Sequence, residues 1–131
     1  MPRAEPAGAA ERGVAGARPC VMLVEDDAIV AMLVEQILLD MDLQVLVVST
    51  LEYALVETEI AGFDAAIIDM HLRGDHADQL IDALSLGRIP YMILSGGDQA
   101  AFRAAHPHIT VLAKPFDKTE LEQCVRDLLP R

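Results

Sequence analysis

The sequence predicts a five-stranded, doubly wound α/β sandwich built on a parallel sheet. Three observations carry that expectation. Five short runs are apolar mostly at successive positions: "CVMLV" (20–24), "QVLVV" (44–48), "AAIID" (65–69), "YMILS" (91–95) and "ITVLA" (109–113). Strands covered on both faces read this way, whereas a half-solvated strand alternates. The stretches between the runs have helical spacing, so the order is β-α repeated five times, with right-handed crossovers. The chain has 131 residues, 53% of them hydrophobic, enough for one core and hardly for two domains.

Taken in order, residues 1–18, "MPRAEPAGAAERGVAGAR", are rich in Ala, Gly, Pro and Arg. They contain no apolar h-region, which excludes a secretory signal, and Glu5 and Glu11 argue against a transit peptide. With little to bury, this stretch reads as a disordered leader before one domain over 19–131. The first strand runs into Glu25, Asp26 and Asp27, and Asp27 suits a helix start, where negative charge favours the dipole. In the helix expected over 28–41, Ile29, Leu33, Ile37 and Met41 are four apart, with Val30, Val34 and Leu38 beside them. Ser49 followed by Glu52 is a capping-box pattern for a helix over 50–61. A helix over 77–86 is ended by Gly87. A shorter one is expected over 98–105, stopped near Pro107. The last, over 118–129, has Asp117 as N-cap, Glu120 three residues on, and an inner stripe of Leu121, Cys124, Val125 and Leu128.

Composition narrows the function. The formal net charge is −11, and a nucleic-acid-binding domain normally shows a basic face; a metal cation or a basic protein partner fits better. No apolar run approaches the ~18 residues of a membrane span. Cys20 and Cys124 read as reduced thiols of a cytoplasmic protein, with a disulfide or a metal pair as the other reading. His106 and His108, either side of Pro107, read as solvated loop imidazoles.

In doubly wound folds ligands sit at the carboxyl ends of the strands. Here those ends carry Glu25 and Asp26 (first strand), Asp69 (third), Ser95 with Gly96 and Gly97 (fourth), and Lys114 with Pro115 (fifth). Alone, Glu25-Asp26-Asp27 would read as an acidic capping turn. With Asp69 and Lys114 on the same edge, Glu25, Asp26 and Asp69 form an oxygen cage for a Mg²⁺-like ion, which needs few carboxylates. Asp69 is then placed as a nucleophile for aspartyl-phosphate chemistry. The ion and Lys114 would neutralise charge on a transferred phosphoryl group. Ser95 can donate to a phosphoryl oxygen, and the glycines let the backbone come close.

Residues from about 19 to 130 resemble the receiver domain of bacterial two-component response regulators. The resemblance rests on "LVEDD", "AIIDMHLRG", "MILSG" and "AKPF" in family order, with Asp69 43 residues after Asp26 and Lys114 45 after Asp69. It implies a flavodoxin-like (βα)5 fold and a stand-alone receiver, since no further domain follows Arg131. Asp69 would accept a phosphoryl group from a histidine kinase. Asp26 would bind Mg²⁺ directly, Glu25 through water, and His71 through its backbone carbonyl. Ser95 would be the switch hydroxyl, Lys114 the phosphate partner, and Lys114–Pro115 a cis bond, a state populated almost only before proline. "LRGD", "SGGD" and "AKPFD" together are similar to stand-alone receivers that work with HWE-type kinases.

The chain departs from the family where many receivers carry an aromatic three residues before the lysine, which swings inward on activation; here that residue is Val111. The span from Ser95 to Lys114 is short, at 19 residues, so the fourth helix is expected to be stunted. The functional expectation is a phosphorylation-dependent switch acting through protein contacts. The first alternative is a phosphate sink or phosphotransfer intermediate without conformational output. The second, a Mg²⁺-dependent phosphohydrolase, usually has an acid two residues after the nucleophile, where this chain has His71. Neither G-x-x-x-x-G-K-[S/T] nor G-x-G-x-x-G occurs, which disfavours nucleotide binding.

Overall fold

A computed structural model describes residues 18–60, 62–69, 77–96, 103–104 and 107–129. In chain order its elements are β1 (Cys20–Val24), α1 (Ala28–Asp40), β2 (Gln44–Val48), α2 (Leu51–Ile60), β3 (Ala65–Asp69), α3 (Ala77–Leu86), β4 (Tyr91–Ser95), β5 (Thr110–Ala113) and α4 (Lys118–Leu128). The strands form one parallel sheet in the order β2-β1-β3-β4-β5. Four strands span the residues expected, and β5 begins one residue later than expected. Of the helix expected over 98–105 only residues 103–104 are described, and they are helical; residues 1–17 of the expected leader lie outside the described residues.

The continuous apolar runs are explained by two cores, one on each face of the sheet. Within β1, Cys20, Met22 and Val24 face a cluster with Leu51 and Ala54 of α2 and Leu80 and Leu84 of α3. Val21 and Leu23 face the other cluster, with Val34 and Leu38 of α1 and Leu121 and Val125 of α4. β1 and β3 are buried throughout. Each fully buried aliphatic side chain contributes ~1.5–3 kcal/mol relative to exposure. The stripe expected on α4 is the observed one: Leu121 and Val125 are buried, with Cys124 and Leu128 partly buried beside them.

The face of α1 differs from expectation. Its buried stripe is Ala31, Val34 and Leu38, while Ile29 and Leu33 are 67% and 60% exposed. Leu33 borders a groove of about 610 Å³ between α1 and the turn at Lys114, Pro115 and Phe116. Only Glu35, Gln36 and Asp40 are polar among the thirteen residues of this helix. Periodicity therefore cannot select its inner face, and the docking of the helix beside β2, into the core it shares with β1, β3 and α4, does.

Helix ends follow local chemistry. Asp27 caps α1 by accepting from the N–H groups of Ile29 (2.9 Å) and Val30 (3.2 Å). The Asp117–Glu120 capping box of α4 is present in both directions. At α2 the cap falls one residue later than Ser49: Thr50 Oγ1 accepts from the N–H of Tyr53 at 3.1 Å. α3 ends at Leu86, before Gly87 as expected, but the left-handed residue is Arg88, with φ 58°. Ile89 N–H then bonds Leu84 O and Arg88 N–H bonds Ser85 O, the Schellman pattern. α1 closes the same way through Asp42, φ 64°, and Leu43. In both turns the residue after the left-handed one, Leu43 or Ile89, is buried and leads toward the next strand.

Candidate functional site

The strand order reverses between β1 and β3, the crevice where open α/β sheets bind ligands at the carboxyl edge. Glu25 extends β1, its N–H bonding Val48 O at 3.0 Å, and its side chain is only 2% exposed. Asp27 is committed to capping α1, but its N–H donates to Glu25 Oε2 at 3.2 Å. Asp26, between them, is exposed. Asp69 ends β3 and is 3% exposed. Ser95 ends β4 and is buried, and its carbonyl accepts from Lys114 N–H at 2.7 Å. That bond ties the end of β4 to the residue that follows β5. Lys114 reaches back over the edge, with Nζ 3.2 Å from Asp69 Oδ1 and 3.7 Å from Glu25 Oε1. Its bond to Pro115 is cis, as the family resemblance implies.

Electrostatics make this a strained cluster of acids around one cation. Burial raises the pKa of Glu25 from 4.5 to about 7; the adjacent Asp69 carboxylate adds to the shift, while the Asp27 N–H and the Lys114 ammonium oppose it. Glu25 Oε1 is buried and has no hydrogen-bond partner; Lys114 at 3.7 Å lies beyond hydrogen-bond reach. One ligand oxygen from each of Glu25, Asp26 and Asp69 lies within 4.8 Å of the others. All the donors are hard carboxylate oxygens, one of them lacks a partner, and two of the three carboxylates share one lysine. The residues fit a hard divalent cation of the Mg²⁺ class, and this fit carries the expectation drawn from the sequence.

Glu25, Asp26, Asp69 and Lys114 thus meet at one point, with Ser95 beside them. His71 and Gly97 lie outside the described residues, as does His106; Gly96 and His108 are exposed. The two cysteines are thiols, and they pack against opposite faces of the sheet, which rules out the disulfide or metal pair between them. No motif or spacing points to Arg103, whose guanidinium donates to Val111 O at 3.1 Å. A contact between a helical residue and a strand carbonyl eight residues on follows no local pattern.

No protein-family model and no curated protein matches the sequence. Solved structures do. The structure of SdrG from Pseudomonas melonis, in a BeF3-activated conformation, is 31% identical with a TM-score of 0.73, covering 85% of this chain and 96% of SdrG. A response regulator receiver protein from Sinorhizobium medicae is 24% identical with a TM-score of 0.78, covering 85% and 94%. The chain belongs to the response-regulator receiver family. The receiver domain of the sensor histidine kinase PA1611 from Pseudomonas aeruginosa shares the fold at 22% identity and a TM-score of 0.75, covering 86% of this chain and 98% of that one; it was crystallised with a magnesium ion in its active-site cleft. The acidic edge of this receiver lies at the carboxyl ends of β1 and β3.

Proposed function

We propose that this receiver is a Mg²⁺-dependent phosphorylation switch, with Asp69 accepting a phosphoryl group from a histidine kinase or a phosphotransfer protein. The observation that carries the proposal is the contact of Lys114 Nζ with Asp69 Oδ1 at 3.2 Å beside two further carboxylates. In the transfer, a carboxylate oxygen of Asp69 forms a bond to phosphorus as the phosphorus–nitrogen bond of a phosphohistidine breaks. The electron pair leaves on the imidazole nitrogen. Lys114 holds positive charge where the phosphoryl oxygens arrive, and Ser95 stands at the end of the neighbouring strand, where its hydroxyl would donate a hydrogen bond to a phosphoryl oxygen. Glu25, Asp26, Asp69 and the His71 carbonyl would hold Mg²⁺, which supplies charge neutralisation at the transferred group. The PA1611 receiver, crystallised with magnesium in its active-site cleft, supports that assignment.

The added charge at the sheet edge then biases a two-state equilibrium read by another protein. The kinase class, HWE-type by its loop motifs, and the downstream protein belong to this proposal, as does a cytoplasmic location. Among the described residues no helix is long and apolar enough to cross a membrane. A phosphate sink without conformational output is the second reading, favoured by Val111 in place of the swinging aromatic.

The test is incubation with acetyl phosphate and Mg²⁺, followed by intact mass measurement. The wild type gains one phosphoryl group and Asp69→Asn gains none. Absence of the gain in the wild type, or an equal gain in the variant, overturns the proposal. Partner binding that depends on phosphorylation separates the switch from the sink.

A further inference from the structure

Lys114, the cation of the site, is carried by the least anchored strand of the sheet. β5 has four residues, lies at the edge and pairs only with β4. Thr110 and Ala113 are exposed and Val111 and Leu112 only partly buried, whereas β1 and β3 are buried from end to end. Lys114 N–H points toward β4, where it bonds Ser95 O. Backbone groups on a strand alternate in direction, so Val111, three residues earlier, turns its carbonyl the opposite way, to the free edge of the sheet. Unpaired edge groups of this kind are normally covered. The Arg103 guanidinium supplies the cover, from the segment that leads away from Ser95.

We infer that Arg103 is a positioning residue for Lys114, a latch that fixes β5 against the segment following Ser95; the inference rests on the proposed role of Lys114 in phosphoryl transfer. The acids of the site are on β1 and β3, so the latch acts on one half of the site only. Ser95 and Lys114 are already joined through the main chain at 2.7 Å. With Arg103 holding Val111 O, the strip from Val111 to Lys114 is tied at both ends, to Arg103 at one and to the end of β4 at the other. That second tie lies at the residue where many receivers place their swinging aromatic, and it uses the main-chain carbonyl, which valine supplies as well as tyrosine or phenylalanine.

The experiment compares the full chain with Arg103→Ala and Arg103→Lys. Three quantities are read: amide hydrogen exchange of residues 110–114, Mg²⁺ affinity in the absence of phosphodonor, and the phosphorylation rate with acetyl phosphate at saturating Mg²⁺. One hydrogen bond of ordinary strength is worth a factor of roughly 2–10. Arg103→Ala should therefore exchange the β5 amides about 2–10-fold faster and phosphorylate about 2–10-fold slower, with Mg²⁺ affinity unchanged. Arg103→Lys, which keeps the charge and a donor, should recover part of both losses. Exchange and phosphorylation at wild-type values in Arg103→Ala overturn the latch. Loss of Mg²⁺ affinity in parallel with the rate also overturns it, because that marks general destabilisation. If the wild type itself takes no phosphoryl group, the proposed function fails, while the exchange measurement still decides whether Arg103 holds β5.

Discussion

At the scale of single residues, Glu25 is where the fold and the site conflict. The unfolded chain releases the Glu25 proton near 4.5 and the folded chain holds it to about 7, chiefly because the carboxyl is buried. Between those values the folded state binds the extra proton, so this group's contribution to stability is present below about 4.5 and is lost as pH rises to about 7. Without divalent cations, the melting temperature of the wild type minus that of Glu25→Gln should fall across this window; a flat difference would show that the carboxyl is not held protonated. A cation needs the ionised form, so Mg²⁺ affinity should strengthen from pH 6 to pH 8, and Glu25→Gln should remove most of that dependence. Lys114 competes for the same carboxylates, 3.2 Å from Asp69 and 3.7 Å from Glu25. Lys114→Ala should therefore bind Mg²⁺ at least as tightly as wild type. Its phosphorylation from acetyl phosphate should nevertheless be slower by ~10²-fold, the usual cost of one preorganised charge-stabilising group. Weaker Mg²⁺ binding together with an unchanged rate would reverse the roles assigned to the two cations.

At the scale of elements, what the sequence could reveal depended on whether the signal was local. Strand spans, the Asp27 and Asp117 caps and the end of α3 before Gly87 follow from residues within one turn of each other, and they stand as expected apart from small shifts. The cap of α2 moved from Ser49 to Thr50 because adjacent hydroxyl residues offer the same chemistry and the path of the chain from β2 selects between them. The inner face of α1 was illegible for a different reason: Ile29, Leu33 and Ile37 satisfy helical spacing as well as Ala31, Val34 and Leu38 do. The distinction is measurable. Leu38 is fully buried, so Leu38→Ala should cost about 2–5 kcal/mol by denaturant unfolding, whereas Leu33→Ala should stay within about 0.5 kcal/mol. Equal losses would mean that both stripes are covered. The acids and the lysine of the site were legible because strand ends converge on one edge in any parallel α/β sheet. The Arg103–Val111 contact was not, since it joins a residue outside the strand to a main-chain carbonyl that any residue at 111 would supply.

At the scale of the whole molecule, a net charge of −11 sets a background against which the cation site has to be distinguished. Self-repulsion destabilises a compact acidic chain, and any salt relieves part of it by screening, with a Debye length of about 10 Å at 0.1 M. A rise in melting temperature on adding MgCl₂ is therefore not by itself evidence for a site. Site binding saturates and stabilises as the logarithm of cation concentration over its dissociation constant, while screening depends on ionic strength alone. The oxygens of Glu25, Asp26 and Asp69, within 4.8 Å of one another and including one buried oxygen without a partner, are the only such cluster among the described residues. MgCl₂ should thus raise the melting temperature more than NaCl of equal ionic strength. Asp26→Asn should abolish that excess and leave the NaCl response in place, because Asp26 is exposed and its removal takes one charge from a chain with twenty other acids. An excess that survives in Asp26→Asn would locate the stabilising cation elsewhere on the acidic surface and detach it from Asp69.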